Sequence, residues 1–359
     1  MYDFAVVGVG PPGARFARRA AENGYDVLAL ERGEIGPPLA CSGHVSRDLW
    51  SYLPDDARPA LLQNEVYGAR FRLGGPEATP YRFYKREPVS NVIDRVGLDK
   101  RLATLAGEAG ADVRDDHTVV DVEEHADRVA ISVRTPEGPE TVETKVVVGA
   151  DGPRSRVRRS LDVPEPTEFL HGVLGFDPNP DDGDFVDVHL MVPTFFAWRI
   201  PRGDAGVEYG LAAPADYDAT GAFEEFVADY GATIDDRHAG AIPIGPPDRV
   251  TTDRALLVGD AAGQTKPFTG GGILYGLRAA DAAARTVDPD VPGTLANYER
   301  AWRDELGREI SLGKLLRRGY SAPRPVQRAG LATFAGEIGV HMDEPTSLFS
   351  VEQLKALFR

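Results

Sequence analysis

Two short apolar runs near the start of the chain bracket a glycine-rich turn and a helix-compatible stretch. The first run, residues 4–7, leads into the turn, and the second follows Gly24 and ends at Glu31. The stretch between them is rich in alanine and arginine, which favour a helix. Because apolar runs of this length are typical of buried parallel strands, the pattern predicts a β-α-β unit.

The turn carries the spacing of a dinucleotide-binding fingerprint. Gly8 permits the tight turn, Gly10 lets the backbone approach a pyrophosphate, and Gly13 allows the helix to pack closely on the strand. The N-terminus of the helix adds a partial positive charge that favours a phosphate. The acid 18 residues after Gly13 can accept hydrogen bonds from a ribose diol. The predicted binding residues of this unit are Gly8, Gly10, Pro11, Gly13, Glu31 and Arg32.

Three later segments, residues 90–102, 146–159 and 254–283, favour FAD over NAD as the dinucleotide. Each runs from an apolar strand into a turn and a helix. In the last segment an aspartate at a strand end can accept from ribityl hydroxyls. A flat ring with negative charge can then lie against the N–H groups of three glycines, as a reduced flavin would and NAD would not. The predicted FAD residues here are Arg95, Asp260, Gly270, Gly271, Gly272 and Ile273.

Alternation with a period of two predicts a second sheet, because it marks strands that bury one face. It occurs in residues 65–95 and again in residues 172–214, between glycine and proline turns. The expected fold class is α/β, a Rossmann-like FAD-binding domain with an inserted antiparallel β-sheet substrate domain and a helical C-terminus. The predicted ranges are 1–64, 95–165 and 248–285 for FAD, 65–94 and 166–247 for substrate, and 286–359 for the C-terminal helices.

The chain is strongly acidic and poor in lysine. Its 359 residues include 56 acids and 40 bases, a net charge of −16, and only six of the bases are lysines. This composition is typical of proteins that work in molar salt, and it disfavours non-specific binding to nucleic acid. The sequence has one cysteine, which excludes an internal disulfide, and no pattern of metal ligands.

One basic stretch, residues 306–330, departs from this balance with six basic residues and one acid. It could face lipid phosphates, although a solvated helix face or internal ion pairs are the more ordinary interpretation. The sequence shows no apolar run long enough to span a bilayer and no signal peptide. We therefore expect a cytoplasmic protein with optional peripheral contact to a membrane surface.

The FAD segments together resemble proteins of the p-hydroxybenzoate-hydroxylase fold, from residue 1 to about residue 285. "FFAWRIPRG" is similar to the aromatic-Trp-Pro stretch of the geranylgeranyl reductase family, with phenylalanine where tyrosine is usual. "CSGH" resembles that family's Cys-x-Gly-Gly element, with His44 in place of the second glycine. The resemblance implies an isoprenoid lipid substrate. It also implies an apolar wall of substrate-binding residues, which are Phe196, Trp198, Ile200 and Pro201.

The same resemblance implies reduction of isolated prenyl double bonds. Such a bond needs a hydride on one carbon, which reduced FAD can supply, and a proton on the other. A thiol is mostly protonated at neutral pH, so Cys41 is predicted to donate the proton or to organise flavin and alkene. His44 is the second predicted catalytic residue, and the sequence leaves open which of the two is the donor.

Other functions remain open at this stage. An aromatic monooxygenase of the same fold would consume NADPH and oxygen, and a non-catalytic carrier would bind isoprenoids unchanged. A halogenase would need a catalytic lysine, for which Lys85 is the nearest candidate. Reduction of prenyl-quinone side chains is a further variant. For the reductase, the electron donor is expected to be ferredoxin or NAD(P)H.

Overall fold

Three β-sheets and eight α-helices make up the part of the chain that the computed structural model describes, residues 1–37, 41–291, 293–337 and 343–344. The helices are α1 Pro11–Glu22, α2 Ala57–Leu61, α3 Arg95–Glu108, α4 Arg156–Ser160, α5 Ala219–Tyr230, α6 Ile273–Thr286, α7 Leu295–Arg317 and α8 Arg324–Phe334. Short 3-10 helices span Arg47–Tyr52, Gly259–Ala262 and Arg318–Ser321.

The first sheet forms around the predicted β-α-β unit and has seven strands. They are β1 Tyr2–Val7, β2 Val27–Leu30, β8 Asp112–Arg114, β9 Thr118–Glu124, β10 Val129–Thr135, β11 Gly138–Gly149 and β17 Ala255–Leu257. β8, β2, β1 and β11 lie side by side in parallel, and β17 pairs in parallel with the end of β11. β9 and β10 extend the sheet as antiparallel strands. Residues 4–7 of β1 are buried on both faces of the sheet. α1, which packs on α3 and α6, lies against β1.

The second sheet also has seven strands and a hydrophobic core of its own. They are β5 Gly68–Arg72, β6 Tyr81–Tyr84, β12 Glu168–Asp177, β13 Phe185–His189, β14 Ala197–Pro201, β15 Val207–Pro214 and β16 Asp236–Ile244. α5 packs on β12 and β15, and its N-terminus is capped by Asp218, which accepts from the Gly221 N–H at 2.9 Å. The expected sheet is therefore present. Its strands are not all antiparallel, however, because β5 pairs in parallel with β13.

Side chains of a small three-stranded sheet pack into the hydrophobic cores of both larger sheets. It consists of β3 His44–Ser46, β7 Ser90–Ile93 and β4 Leu62–Val66, paired antiparallel. β7 leads directly into α3, so this sheet links the cysteine region to the start of that helix. The predicted domain boundaries stay a proposal, and the one between residues 64 and 65 falls inside β4.

α7 and α8 lie in the predicted helical C-terminus. Residues 292, 338–342 and 345–359 of that range, like residues 38–40 before Cys41, are outside the described residues. No helix of the described ranges is both long enough and apolar enough to cross a membrane.

Candidate active site

The glycine turn after β1 has the geometry that the fingerprint predicts. Gly8 has a φ of +94°, and a Cβ there would lie 2.5 Å from the Ala150 carbonyl oxygen. A Cβ on Gly13 would lie 2.0 Å from the Gly8 carbonyl oxygen, so α1 can pack on the turn only with glycine at this position. A Cβ on Gly10 would meet no described atom within 4 Å. The turn therefore leaves open space at Gly10, where Pro11 begins α1.

Glu31, at the end of β2, stabilises this turn directly. Its carboxylate accepts a hydrogen bond from the Val9 N–H at 2.7 Å and one from the Arg32 N–H at 3.1 Å. The Arg32 side chain is exposed. Each carboxylate oxygen has a further lone pair, so the predicted ribose contact at Glu31 is compatible with these bonds.

Arg95, the first residue of α3, lies at the centre of the site. It is buried and forms an ion pair with Asp99 one turn further along the helix. Burial lowers the pKa of Arg95, but the Asp99 carboxylate and the adjacent Cys41 raise it, with the net result above the usual value. Its Nε has no hydrogen-bond partner among the described residues. Buried N–H groups in proteins are normally hydrogen-bonded, and a ribityl or phosphate oxygen of FAD would act as the acceptor here.

Asp260 and the three glycines before α6 form a second group of predicted FAD residues. Burial raises the pKa of Asp260 to about 6, and the positive charge of Arg95 opposes this shift. A Cβ on Gly272 would lie 2.4 Å from the Asp260 carboxylate, which explains the absence of a side chain there. A Cβ on Gly270 would contact Ile242 of β16 and Phe195, which belongs to the hydrophobic core of the second sheet. The glycines, followed by Ile273 in the first turn of α6, thus lie where the two large sheets meet.

Cys41 belongs to a short segment before β3, residues 41–43, that we call the cysteine loop. Gly43 has a φ of +64°, and a Cβ there would lie 2.5 Å from the Ile93 carbonyl oxygen. The Ile93 N–H donates to the Gly43 carbonyl at 3.0 Å, which fastens the loop to the end of β7. Cys41 is partly buried beside Arg95. The structure therefore places the predicted catalytic thiol next to one predicted FAD residue, Arg95. The charge of Arg95 in turn acts on the Asp260 carboxylate.

His44, the first residue of β3, directly follows this loop and pairs with Ser90, its Nε2 being 2.7 Å from the serine Oγ. Burial and the nearby charges of Lys266 and Arg202 lower the pKa of His44 to about 4, while Asp343 opposes them. The imidazole is therefore neutral at neutral pH. His44 can accept a proton there, but it does not carry the extra proton of an imidazolium.

The His44 pKa predicts a pH-dependent stability. Because the pKa in the folded protein is below that of the unfolded chain, protonation favours unfolding, and stability falls as the pH drops from about 6.5 to about 4. The imidazole keeps some contact with solvent, so we expect a loss of about 2 kcal/mol. Urea unfolding across this range should show a flatter profile for His44→Gln than for wild type. His125→Gln is the control, and equal profiles for wild type and His44→Gln would contradict the assignment.

The aromatic wall, defined here as Phe196, Trp198 and Ile200, lines the second sheet at β14. Trp198 meets Phe196 edge to face, with 5.9 Å between ring centroids. The indole lies flat over β15, because a Cβ on Gly210 would come within 2.1 Å of it. Pro201 ends β14 opposite Val207. Phe195, which the sequence analysis passed over, is fully buried and stacks on Phe196 with centroids 4.4 Å apart.

The aromatic wall is less apolar than predicted, because a carboxylate lies among its side chains. Glu208 pairs with Ile200 across β14 and β15, so both side chains project from the same face. It is fully buried and forms an ion pair with Arg202. The sequence contained one indication of this ion pair, an acidic residue in a strand of otherwise buried residues. It could not identify Arg202 as the partner of that acid.

Lys266 and Asp343 form a second buried ion pair that the sequence analysis missed, at 2.7 Å. A Cβ on Gly271 would contact the Lys266 side chain, so the pair lies beside the glycines of the proposed flavin site. The Tyr275 hydroxyl donates to the Asp343 backbone carbonyl at 3.0 Å. Lys266 and Asp343 are 77 positions apart in the chain. In the sequence, only the isolated lysine in residues 254–283 indicated that this pair could exist.

Comparisons with known proteins agree with this geometry. Residues 77–202 match the family model described as an FAD binding domain. A digeranylgeranylglycerophospholipid reductase of Methanothermobacter thermautotrophicus is 31% identical over 86% of this chain and 85% of its own length. The enzyme of that name from Methanothrix thermoacetophila is 32% identical over the same shares, 86% and 85%. A geranylgeranyl bacteriochlorophyll reductase-like structure from Thermoplasma acidophilum has a TM-score of 0.85 at 24% identity, covering 99% of this chain and 95% of that one.

The match to an FAD-binding family confirms the sequence-based prediction of the cofactor and of the fold class. The residues present also fit FAD on their own geometry. The open space at Gly10 suits a pyrophosphate, the Arg95 Nε lacks an acceptor, and the bare backbone before α6 suits a flat ring. The individual contacts assigned to each predicted site residue stay predictions.

Proposed function

Because the chain belongs to the digeranylgeranylglycerophospholipid reductase family, we propose that it saturates C=C bonds in geranylgeranyl chains of archaeal-type membrane lipids or their precursors. It is an FAD-dependent oxidoreductase of the type that acts on CH–CH groups. The observation that carries the proposal is the position of Cys41 beside Arg95, whose buried Nε lacks a partner among the described residues and whose charge acts on Asp260. This position supports Cys41 as a proton donor beside Arg95, one of the residues that would hold the flavin.

FAD, when bound and reduced, supplies a hydride to one carbon of the double bond. In the proposal Cys41 donates its thiol proton to the other carbon, which completes the addition of two hydrogens. The thiolate that remains lies beside the Arg95 guanidinium, and this positive charge stabilises it. Solvent then returns the proton to sulfur. We assign the donation to Cys41 before His44, because the neutral imidazole has no extra proton to give at neutral pH.

The aromatic wall would bind the isoprenoid chain. Phe196 and Ile200 are almost fully buried, and Trp198 is the partly exposed member of the wall. Apolar rings and branched side chains bind a prenyl chain by excluding water, without requiring directional bonds. A ferredoxin or NAD(P)H would reduce the flavin again after each saturation.

The proposal includes a cytoplasmic protein in peripheral contact with the membrane that holds its substrate. Near the end of α7 and on α8, the apolar side chains of Leu315, Val326 and Phe334 are 56%, 59% and 46% exposed. Arg318 and Arg328, also exposed, lie in the same segment. Apolar and basic side chains together favour an anionic lipid surface. Co-sedimentation with anionic vesicles, weakened in Val326→Asp, checks this contact.

An anaerobic incubation tests the proposed reaction. The protein is purified with FAD, reduced chemically and mixed with a geranylgeranylated phospholipid at molar salt, which its acidic, lysine-poor composition favours. We expect the lipid mass to rise by two hydrogens for each double bond, matched by reoxidation of the flavin. Unchanged lipid and a flavin that stays reduced would contradict the proposal and favour prenyl quinones. Oxygen-dependent NADPH consumption with an aromatic substrate would indicate a monooxygenase.

A further inference from the structure

A buried ion pair connects the aromatic wall to the cysteine loop. Arg202 Nη1 donates to a Glu208 carboxylate oxygen at 3.0 Å, with 6% of Arg202 and none of Glu208 exposed. Burial raises the pKa of Glu208, and the Arg202 and Trp198 donors oppose that shift. Two charges withdrawn from water to this degree are retained only when their remaining hydrogen-bond capacity is used, so their other partners are informative.

The other oxygen of the Glu208 carboxylate holds the wall. It accepts from the Trp198 indole N–H at 2.8 Å. This bond fixes the edge of the ring, while Gly210 beneath the ring leaves room for it to lie flat. Glu208 therefore sets the orientation of the one partly exposed side chain in the aromatic wall.

The remaining donors of Arg202 hold the cysteine loop and the end of β7. Nη1 donates to the Ser42 carbonyl at 2.6 Å, and Nη2 donates to the Ile93 carbonyl at 3.1 Å and to Gln63 Oε1 at 2.6 Å. Ser42 follows Cys41 directly. The planar guanidinium lies over the Phe176 ring, 5.2 Å from its centroid. An ammonium could not reach these separate acceptors at once, because they require the fork of arginine.

We propose that Arg202 and Glu208 are positioning residues that set the separation and orientation of Cys41 relative to the aromatic wall. The assignment rests on the proposed reductase function, in which the wall holds the alkene and Cys41 protonates it. Neither residue transfers a proton or an electron. Their effect is geometric: a misplacement of about 1 Å at a reacting group can lower turnover about a hundredfold.

Alkylation of Cys41 tests the proposal without requiring turnover, because Cys41 is the sole cysteine of the chain. The FAD-loaded protein is treated with iodoacetamide, and the modification rate is read by mass spectrometry. The variants are Arg202→Lys and Glu208→Gln. Asp187→Asn is the matched control, because it also neutralises a buried carboxylate of the second sheet that is paired with arginine, on β13. A second readout is kcat and KM for the geranylgeranylated phospholipid per bound FAD.

We expect Arg202→Lys to raise the alkylation rate about tenfold, since the loop loses charged hydrogen bonds. Both variants should lower kcat at least about tenfold. KM should change less than about threefold in Arg202→Lys and should rise by more than that in Glu208→Gln. Asp187→Asn should leave alkylation and kcat near wild type. The proposal would be overturned if alkylation rate and kcat changed equally in Arg202→Lys, Glu208→Gln and Asp187→Asn, in proportion to the stability that each variant loses. If the wild-type protein fails to reduce the lipid, that result contradicts only the proposed function. The alkylation rates then still decide whether Arg202 and Glu208 position Cys41.

Discussion

Cys41→Ala should retain FAD and lose nearly all prenyl reduction. A positioned general acid contributes about a hundredfold to ten-thousandfold in rate, so we expect turnover per bound flavin to fall at least about a hundredfold. Cys41 is only partly buried, and its replacement by alanine removes one sulfur atom. We therefore expect a small change in stability, of about 1 kcal/mol or less. Single-turnover oxidation of the reduced flavin by lipid measures the effect.

Two companion variants separate chemistry from structure at this position. Cys41→Ser replaces the thiol with a hydroxyl of similar size, which is a far weaker acid, so this variant should also be slow while binding lipid normally. Arg95→Lys should weaken FAD binding, because the site loses the guanidinium fork that pairs with Asp99 and lies beside Cys41. Full turnover per bound flavin in Cys41→Ala would exclude Cys41 from the reaction and leave His44 as the remaining predicted donor.

Gly8→Ala and Gly10→Ala should fail in different ways, although the two residues share one turn. Alanine at position 8 meets both a φ of +94° and a carbonyl oxygen 2.5 Å away. Strain and overpacking together should cost about 2 to 5 kcal/mol of folding stability, a large part of what a domain of this kind has. Thermal unfolding of the apoprotein measures this loss.

Gly10→Ala should instead fold and lose the cofactor. The Gly10 φ of −65° suits alanine, and the added Cβ meets no described atom within 4 Å. Loss of the glycine N-cap should cost about 1 kcal/mol at most. A methyl group in the space proposed for the pyrophosphate should weaken FAD binding about tenfold to a hundredfold, as measured by flavin fluorescence titration. Wild-type affinity in Gly10→Ala would show that the phosphates do not lie against this turn.

Local sequence rules predicted the parts of the fold that depend on neighbouring residues. The apolar runs and the glycine spacing identified β1, α1 and β2, because a positive φ, a Pro at the helix start and an unbroken apolar strand each act within a few residues. The same rules found the start of α3, where Asp94 caps the helix by accepting from Gly97. The parallel pairing of β5 with β13 was not predicted, since strand alternation carries no direction.

The sequence by itself determined the cofactor and the family. Both were identified from the glycine fingerprint and from the CSGH and FFAWRIPRG stretches, because glycine spacing and side-chain type are properties of short segments. Only the tertiary structure decided how those segments meet. It placed Cys41 beside Arg95, put Glu208 into the aromatic wall and joined it through Arg202 to the cysteine loop. It also lowered the pKa of His44 to about 4, through burial and neighbours from distant segments. Burial and charge pairing depend on contacts between residues far apart in the chain, and a single sequence does not encode those contacts locally.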